Sequence, residues 1–286
     1  MSKQSVIDSI REKLAKQSKN SQNSENNKMR WSPKEGEKYT VRIVPYQHGA
    51  DPFTELHFHY NIGKNIMCPK ATFPGDNTKR CAIDEFAQEL LAEAKKSKEK
   101  NNESWEQFKL LSPRPRPHCP ILIRGKESEG VKFWGMPMKT YNTIGKYFLN
   151  PQWGDLSDPI DGRDIEVEAI KQNNEKYASP SITPSPNKTK MITTGNVKED
   201  NKKAAEIITS VPEIYSVFEI PSYEDTKAVL EQYLAKGNQE ETTPEETLPE
   251  ETQQPSENEN TDVDQNNPED SDDIEVLLAK MKKNKK

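Results

Sequence analysis

The C-terminal fifty residues constrain the fold of this chain most, because their composition excludes them from a folded core. Residues 237–286 hold fifteen Asp and Glu against five Lys and Arg, and they contain no aromatic residue. A segment with so little apolar surface cannot offset the entropy that is lost when its backbone is ordered. The sequence therefore predicts an acidic, disordered C-terminal tail, and it places the folded core upstream of residue 237.

The rest of the chain has a different charge balance from the tail. Residues 1–30 carry seven Lys and Arg against three Asp and Glu, and residues 31–236 carry twenty-nine of each, so the net charge of -6 comes from the tail. The stretch before Trp31 is rich in Ser and Asn, which is typical of a linker. We therefore predict three regions: a basic N-terminal arm and linker (1–30), a core (31–236) and the acidic tail (237–286).

Each terminus also contains a short amphipathic pattern. Ile7, Ile10 and Leu14 recur at helical spacing in the arm, which predicts either a frayed terminal helix or a basic arm that contacts a neighbouring subunit or phosphates. The tail ends with a second apolar stripe, formed by Ile274, Leu277, Leu278 and Met281. A short amphipathic helix on a flexible tether is typical of a peptide that binds in a partner's groove, although an acidic tail can also act only as a solubilising appendage.

The cysteine content and the first residues indicate the compartment. The three cysteines are too few, and odd in number, for a disulfide framework. The first ten residues lack the apolar stretch of a secretory signal, and no segment approaches the about 18 uninterrupted apolar residues of a membrane helix. We expect a soluble intracellular protein with no membrane partner, whose cysteines are reduced thiols or metal ligands.

Short β-like runs separated by turn residues begin after Trp31. Five of them are enriched in β-branched and aromatic residues, which predicts strands over 39–44, 55–60, 120–124, 131–134 and 164–170. Apolar stripes predict helices around residues 83–94 and 229–234. This pattern predicts an α+β fold with a β-barrel core of the oligonucleotide/oligosaccharide-binding (OB) type and flanking helices, and a β-sandwich of similar strand number fits it nearly as well.

Basic and aromatic side chains are interleaved along these strands and their loops. Guanidinium and ammonium groups contact phosphates while aromatic rings stack on unpaired bases, so this mixture favours a single-stranded nucleic acid as ligand. Alternation along residues 131–134 places Phe133 in the core and Lys132 with Trp134 on the other face. The alternative is that the aromatic residues belong to the core and the basic residues to solvated strand faces. The candidate DNA-binding residues are Arg42, Tyr46, Tyr60, Lys64, Arg114, Arg116, Arg124, Lys132, Trp134 and Lys139.

Motifs for common enzyme chemistries are missing from the sequence. It contains no GxxxxGKS/T, GxGxxG, HExxH or HxE…PCxxC pattern. The sequence therefore lacks the motifs that are typical of nucleotide hydrolysis, zinc proteases and deaminases. His118 and Cys119 are adjacent, but neighbours on a strand point to opposite faces and cannot act together as base and nucleophile. We therefore expect a protein that is not an enzyme.

The order of several segments resembles that of the single-stranded DNA-binding proteins of T-even-type bacteriophages. Between a basic arm and an acidic tail, these segments are WSPKEGEKYTVRIVPY, FHYNIGKNIMCPK, CAIDEFAQELL, ILIRGKESEGVKFWGMPMKTYNTI, DPIDGRDIEVEAIK and the closing DDIEVLLAK. The resemblance implies cooperative, sequence-independent binding of single-stranded DNA in phage DNA replication, recombination and repair.

The resemblance also implies roles for the two termini. In that family the N-terminal arm mediates self-association between adjacent bound monomers, and the acidic tail contacts phage replication and recombination proteins while restraining invasion of duplex DNA. The implied location is the cytoplasm of the infected bacterial host. The alternative function is that of a non-catalytic replication adaptor or scaffold that acts through its amphipathic termini.

The resemblance implies a structural Zn²⁺ ion as cofactor, but this sequence departs from the family's ligand pattern. Members of the family bind zinc through one His and three Cys, the last two in a C-x2-C pair. The matching positions here are His59, Cys68, Cys81 and Asp84, so an aspartate replaces the last cysteine. Asp84 is also a candidate N-cap of the helix that follows. The alternative without metal is two buried free cysteines and a surface histidine pair. Further candidates for a fourth ligand are His57, His118 and Cys119.

Overall fold

A computed structural model describes residues 24–49, 51–96, 102–171 and 179–236 as a mixed α+β fold. The strands are β1 (Arg30–Trp31), β2 (Lys38–Ile43), β3 (Thr54–His59), β4 (Ile66–Met67), β5 (Arg114–Ile123), β6 (Lys132–Gly135), β7 (Ile165–Ile170) and β8 (Ser179–Pro184). The helices are α1 (Pro69–Thr72), α2 (Ala82–Lys96), α3 (Glu103–Leu111), α4 (Met138–Leu149), α5 (Val197–Ser210), α6 (Ile214–Val217) and α7 (Tyr223–Lys236). Residues 24–29 are also helical.

The eight strands form one sheet in the order β1-β6-β5-β2-β7-β8, and β3 joins it by pairing with β5 and β4. Strand β5 is central because it pairs antiparallel with β3, β6 and β2 along different parts of its length. The α+β class is therefore confirmed. The sheet does not close on itself, so the predicted OB-type β-barrel is not confirmed.

Helices cover both faces of the sheet. On one face, α4 contributes Ile144 to a core that contains Val41, Ile121 and Trp134. On the other face, α6 packs on Leu56 and Phe133, and α5 contributes to a further cluster beside Leu122. Alternation therefore does separate Phe133 from Trp134, but both side chains are fully buried, because each face has its own helical cover.

A fourth apolar cluster lies where α2, α3 and α7 pack around the end of the β3–β4 hairpin. It includes the predicted stripes of α2 and α7, represented by Ile83, Leu90, Val229 and Leu230, so both helices are confirmed. Helix α2 begins at Ala82, and Asp84 lies in its first turn. Asp84 is therefore not the N-cap, although its carboxylate still faces the positive end of the helix dipole.

Several predictions concern residues beyond the described ranges. The arm helix, most of the Ser- and Asn-rich linker, the acidic tail and its terminal stripe lie outside the described residues. None of the helices within the described ranges combines the length and the apolar character that a bilayer span requires.

Candidate metal centre and nucleic-acid interface

Three of the four predicted metal ligands converge at the fourth apolar cluster. His59 is the last residue of β3, Cys68 follows β4 and precedes α1, and Cys81 immediately precedes α2. One ligand atom from each, a ring nitrogen or a thiol sulfur, lies within 4.8 Å of the other two, and all three side chains are buried. We call these residues the His-Cys-Cys centre.

The ring of His59 is oriented by the backbone of α3. Its Nδ1 lies 2.7 Å from the carbonyl oxygen of Leu111, and since a carbonyl only accepts, Nδ1 must carry the hydrogen. In the neutral ring this leaves the lone pair on Nε2, which lies 3.3 Å from Cys81 Sγ. A histidine that donates its second nitrogen to a carbonyl is the usual arrangement of a metal ligand.

The two thiols are hydrogen-bonded to each other and have opposite pKa shifts. The hydrogen bond from Cys68 lowers the pKa of the Cys81 thiol, and the bond to His59 adds to this. The same thiol pair raises the pKa of Cys68, as does burial. Cys68 Sγ also accepts from the backbone N–H of Ala71 at 3.4 Å. Cys81 is thus the thiol that ionises more readily, and the thiolate is the form that binds metals.

Zn²⁺ fits the donor set of this centre. In a tetrahedral zinc site, nitrogen and sulfur ligands lie roughly 3.6 Å from each other, and the 3.3 Å separation of His59 Nε2 and Cys81 Sγ is close to that distance. The combination of one imidazole and two thiols is typical of structural zinc. Because His59 is fully buried, the alternative of a surface histidine pair is wrong.

The fourth predicted ligand is not part of the group. The Asp84 carboxylate lies 3.4 Å from Lys70 Nζ, and it is not among the atoms that converge at the centre. His57 lies next to Glu55 at 3.4 Å, and Cys119 is buried in the core beneath α4. The structure therefore brings together three protein ligands and no fourth within the described residues.

The predicted nucleic-acid interface is divided by the structure, and one part of it gathers on a single face of the sheet. Arg114 and Arg116 lie directly opposite Phe58 and Leu56 of β3, and paired residues of antiparallel strands share a face. The Phe58 ring lies 6.1 Å from Tyr60 and 5.9 Å from the ring of His118. Phe58, Tyr60, Arg114 and Arg116 are partly exposed, so both rings and cations reach the surface.

Arg30 joins this group, although the sequence did not identify it. Its guanidinium carbon lies 4.5 Å above the Phe218 ring, and its Nη2 donates to the Val217 carbonyl at 2.9 Å. Phe218 in turn lies 4.5 Å from the ring of His118. Arg30 directly precedes Trp31, and strand β1, which the sequence did not predict, places it there. We define the arginine–aromatic patch as Arg30, Phe58, Tyr60, Arg114 and Arg116.

His118 is buried beside this patch. Burial, together with the smaller effect of the nearby Arg116 and Arg30 charges, lowers the pKa of His118 to about 3. Its Nδ1 lies 2.7 Å from the Arg116 carbonyl, so the neutral ring donates there. Burial alone would disfavour the charged imidazolium, and the contributions of Arg116 and Arg30 show that both guanidinium groups lie near the ring.

Two predicted phosphate contacts have a structural role instead. Arg42 is fully buried; it donates to Thr189 Oγ1 at 2.9 Å and to the carbonyl of Asp158, and lies 3.6 Å from Asp164. Desolvation lowers the pKa of Arg42 to about 10. Arg124 binds Asp164 at 2.7 Å and donates to two carbonyl groups. We therefore remove both from the set of candidate DNA contacts, because their charges are used inside the fold.

Three further candidates also have partners within the protein. Trp134 is fully buried and packs edge-to-face on Trp31 at 5.7 Å, so it cannot stack on a base. Burial raises the pKa of Tyr46 to about 12, and its ring packs in the cluster beneath α6. Lys132 Nζ donates to the Lys28 carbonyl at 2.9 Å and lies 3.4 Å from Glu129.

The last two candidates are exposed lysines in different places. Lys64 lies in the turn that follows Tyr60 and is exposed, so it is close in sequence to the arginine–aromatic patch. Lys139 is exposed on α4, which covers the opposite face of the sheet. The structure therefore separates Lys139 from the patch.

Comparison of the sequence with protein-family models and with curated proteins finds no match. The arginine–aromatic patch, the His-Cys-Cys centre and the order of the sequence segments are therefore the features that indicate a function for this chain.

Proposed function

We propose that this protein binds single-stranded DNA through the arginine–aromatic patch and catalyses no reaction. The observation that carries the proposal is that Arg30 and Arg116 converge from distant parts of the chain beside His118, whose ring lies 5.9 Å from that of Phe58. Guanidinium groups contact phosphates of any sequence, and aromatic rings stack on any base. A patch of this composition therefore favours a single strand over a duplex, whose bases are already stacked.

Two arginines of the patch, Arg30 and Arg116, retain their charge for a ligand. Within the described residues neither Arg30 nor Arg116 forms an ion pair, and both donate to neutral carbonyl groups, Arg116 Nη2 to Gly135 at 3.1 Å. A carbonyl does not neutralise a guanidinium, so the positive potential persists at the surface. If three arginines contact phosphates, log K should fall with log salt with a slope of about -2, at roughly 0.7 per contact on a single strand.

Fluorescence anisotropy with labelled oligo(dT) and a duplex of equal length tests this proposal. At low salt we expect tighter binding to the single strand, and a fall in affinity with salt at the slope given above. Equal affinity for the duplex, or an affinity that does not change with salt, would refute it.

The wider role follows from the resemblance and is proposed with it. We infer cooperative, sequence-independent binding in phage DNA replication, recombination and repair, with an open OB-like arrangement of β2, β3, β5, β6 and β7 as the scaffold. Self-association through the arm and recruitment of phage proteins through the tail belong to the same proposal. Deleting residues 2–18 should weaken binding to long poly(dT) but leave binding to a one-monomer oligonucleotide unchanged; equal losses on both would contradict a role in self-association.

We also propose that the His-Cys-Cys centre binds Zn²⁺. Its support is the convergence of three buried donors, with the His59 tautomer fixed by Leu111. When bound, the ion supplies a cross-link between the ends of β3, α1 and α2. Metal analysis of protein purified without chelator should find about one zinc per chain, and none in the Cys68→Ser/Cys81→Ser variant. Wild-type protein without zinc after incubation with it would refute the proposal.

A further inference from the structure

The last helix of the described chain contacts the segment that carries Cys81. Thr226 of α7 is fully buried, and its Oγ1 accepts from the backbone N–H of Ala82 at 3.1 Å, across 144 positions of sequence. The hydroxyl hydrogen has its own acceptor, the Tyr223 carbonyl at 2.8 Å. Both hydrogen-bonding functions of the hydroxyl are thus used, and its orientation is fixed.

This contact satisfies a backbone group that the fold would otherwise leave without a partner. The first N–H groups of an α-helix have no acceptor within the helix, and Ala82 is the first residue of α2. Ala82 is also buried, and an unpaired N–H at such a position is costly. Because Ala82 directly follows Cys81, the hydrogen bond that the Ala82 N–H donates to Thr226 fixes the backbone next to the Cys81 thiol.

A second contact between α7 and the start of α2 also fixes the backbone around Cys81. Tyr223 donates its hydroxyl to Glu85 of α2 at 3.0 Å, and Arg80, which binds Glu85 at 2.9 Å, lies 4.5 Å over the Tyr223 ring. Cys81 is therefore flanked by residues that α7 holds on both sides. The contacts with α7 therefore tie down the backbone on both sides of this thiol.

We propose that Thr226 is a positioning residue of the His-Cys-Cys centre, which it controls through the Ala82 amide. The inference rests on the proposed zinc site, and it adds a residue far from the ligands in sequence that determines metal affinity. Residues that orient metal ligands without touching the metal typically change affinity by about 10- to 100-fold when they are substituted.

The test is a titration of the full-length protein with Co²⁺, in which binding is monitored by the absorption bands of the thiolate–cobalt complex. Zn²⁺ affinity is then measured by competition with a chromophoric chelator. Thr226→Val keeps the shape but removes the acceptor, and it should weaken both metals about 10-fold or more. Thr226→Ser restores the acceptor and should bind like wild type. Thr143→Val is the matched control, because Thr143 Oγ1 also bonds a helix carbonyl, that of Lys139, but on α4, far from the centre.

A second variant keeps the test decisive if Thr226→Val does not fold. Ala82→Pro removes the N–H donor at the first position of a helix, where proline is well tolerated, so it breaks the same bond from the other side. We expect Ala82→Pro to weaken Co²⁺ binding to a similar extent. The double variant should bind Co²⁺ with the same affinity as the single variant of lower affinity, because both substitutions break one bond. If the loss of affinity in the double variant equals the product of the two single losses, or if Thr226→Val binds Co²⁺ within twofold of wild type, the inference is overturned. Wild-type protein that binds neither metal would instead refute the zinc proposal.

Discussion

The two ends of strand β5 carry arginines on the same face of the sheet, but in opposite electrostatic settings. Beyond the C-terminal end, Arg124 and Arg42 converge on one carboxylate, at 2.7 Å and 3.6 Å from Asp164. At the N-terminal end, Arg116 and Arg30 donate to carbonyl groups beside aromatic rings. The first pair stabilises the fold, and the second keeps its charge at the surface. The comparison teaches that the nearest carboxylate, not the arginine itself, decides whether the residue is structural or is available to a polyanion.

The largest effect that we predict is on stability, at the carboxylate end. Arg42→Met leaves the acceptors on Thr189 and Asp158 without their donor in a buried site, and it should lower the free energy of unfolding by about 3 kcal/mol. Urea denaturation followed by circular dichroism measures this change. Lys227→Met is the control, because Lys227 forms an exposed pair with Glu231 at 4.0 Å, and its midpoint should not move. A loss no larger than that of the control would show that Arg42 is not a structural residue.

The next largest effect is a pH dependence of stability that comes from His118, beside the arginine–aromatic patch. The pKa of His118 is lowered to about 3 in the folded protein, whereas an unfolded histidine titrates near 6.5. As pH falls below about 6.5 the unfolded chain takes up a proton that the folded chain refuses, so between pH 7 and 5 the protein should lose about 2 kcal/mol through this group. Urea denaturation at both pH values should show that His118→Gln loses correspondingly less than wild type. The same loss in both would place the pKa of His118 near its ordinary value.

The smallest effect concerns the rings. Tyr60→Leu removes an aromatic face from the patch without removing a charge, so it should weaken oligo(dT) binding by on the order of 1 kcal/mol and leave the salt slope unchanged. Anisotropy titrations at three salt concentrations separate the two quantities. Tyr147→Leu is the control, since Tyr147 lies on α4 and packs against Trp153, on the opposite face of the sheet. If the two variants bind equally well, Tyr60 is not a stacking residue.

The sequence alone could not separate the two groups of arginines. Asp164 lies 40 positions from Arg124, and Thr189 lies 147 positions from Arg42, so no local pattern reveals that these charges are paired. Arg30 was assigned to the arm, because its role depends on β1 and on Phe218, which both come from tertiary packing. Trp134 was placed on an exposed face, because alternation predicts which side a residue faces and not whether a helix covers that side.

The fold was predicted where local signals are strong. The five strands rich in β-branched and aromatic residues are all present. Four agree with the expected bounds within one residue, whereas β5 begins at Arg114, six residues before the expected start. Strand β8 was missed because it contains Pro180 and Pro184, which a strand at the edge of a sheet tolerates. Helix α4 was not predicted, and Lys139 was assigned to a binding surface, whereas Ile144, Tyr141 and Tyr147 form the buried side of this helix.

At the metal centre, the spacing of residues along the chain predicted three of the ligands but not the contacts of the fourth candidate. His59, Cys68 and Cys81 were identified from their order in the chain, and the fold brings them together. Asp84 was included for its position in that order, but Lys70, which comes from α1, holds its carboxylate. An ion pair between two elements is a tertiary contact, which spacing along one segment does not predict.

The salt dependence of oligo(dT) binding by the Arg30→Met/Arg116→Met variant tests the central claim most directly. We predict that its slope of log K against log salt is smaller than that of wild type by about 1.4, from roughly 0.7 for each lost phosphate contact. The matched control is Lys188→Met/Lys202→Met, which removes two lysines that pair with Asp161 and Glu206; its slope should equal that of wild type. A folded arginine variant with the wild-type slope, or an equal reduction in the lysine variant, would contradict the assignment of DNA binding to the arginine–aromatic patch.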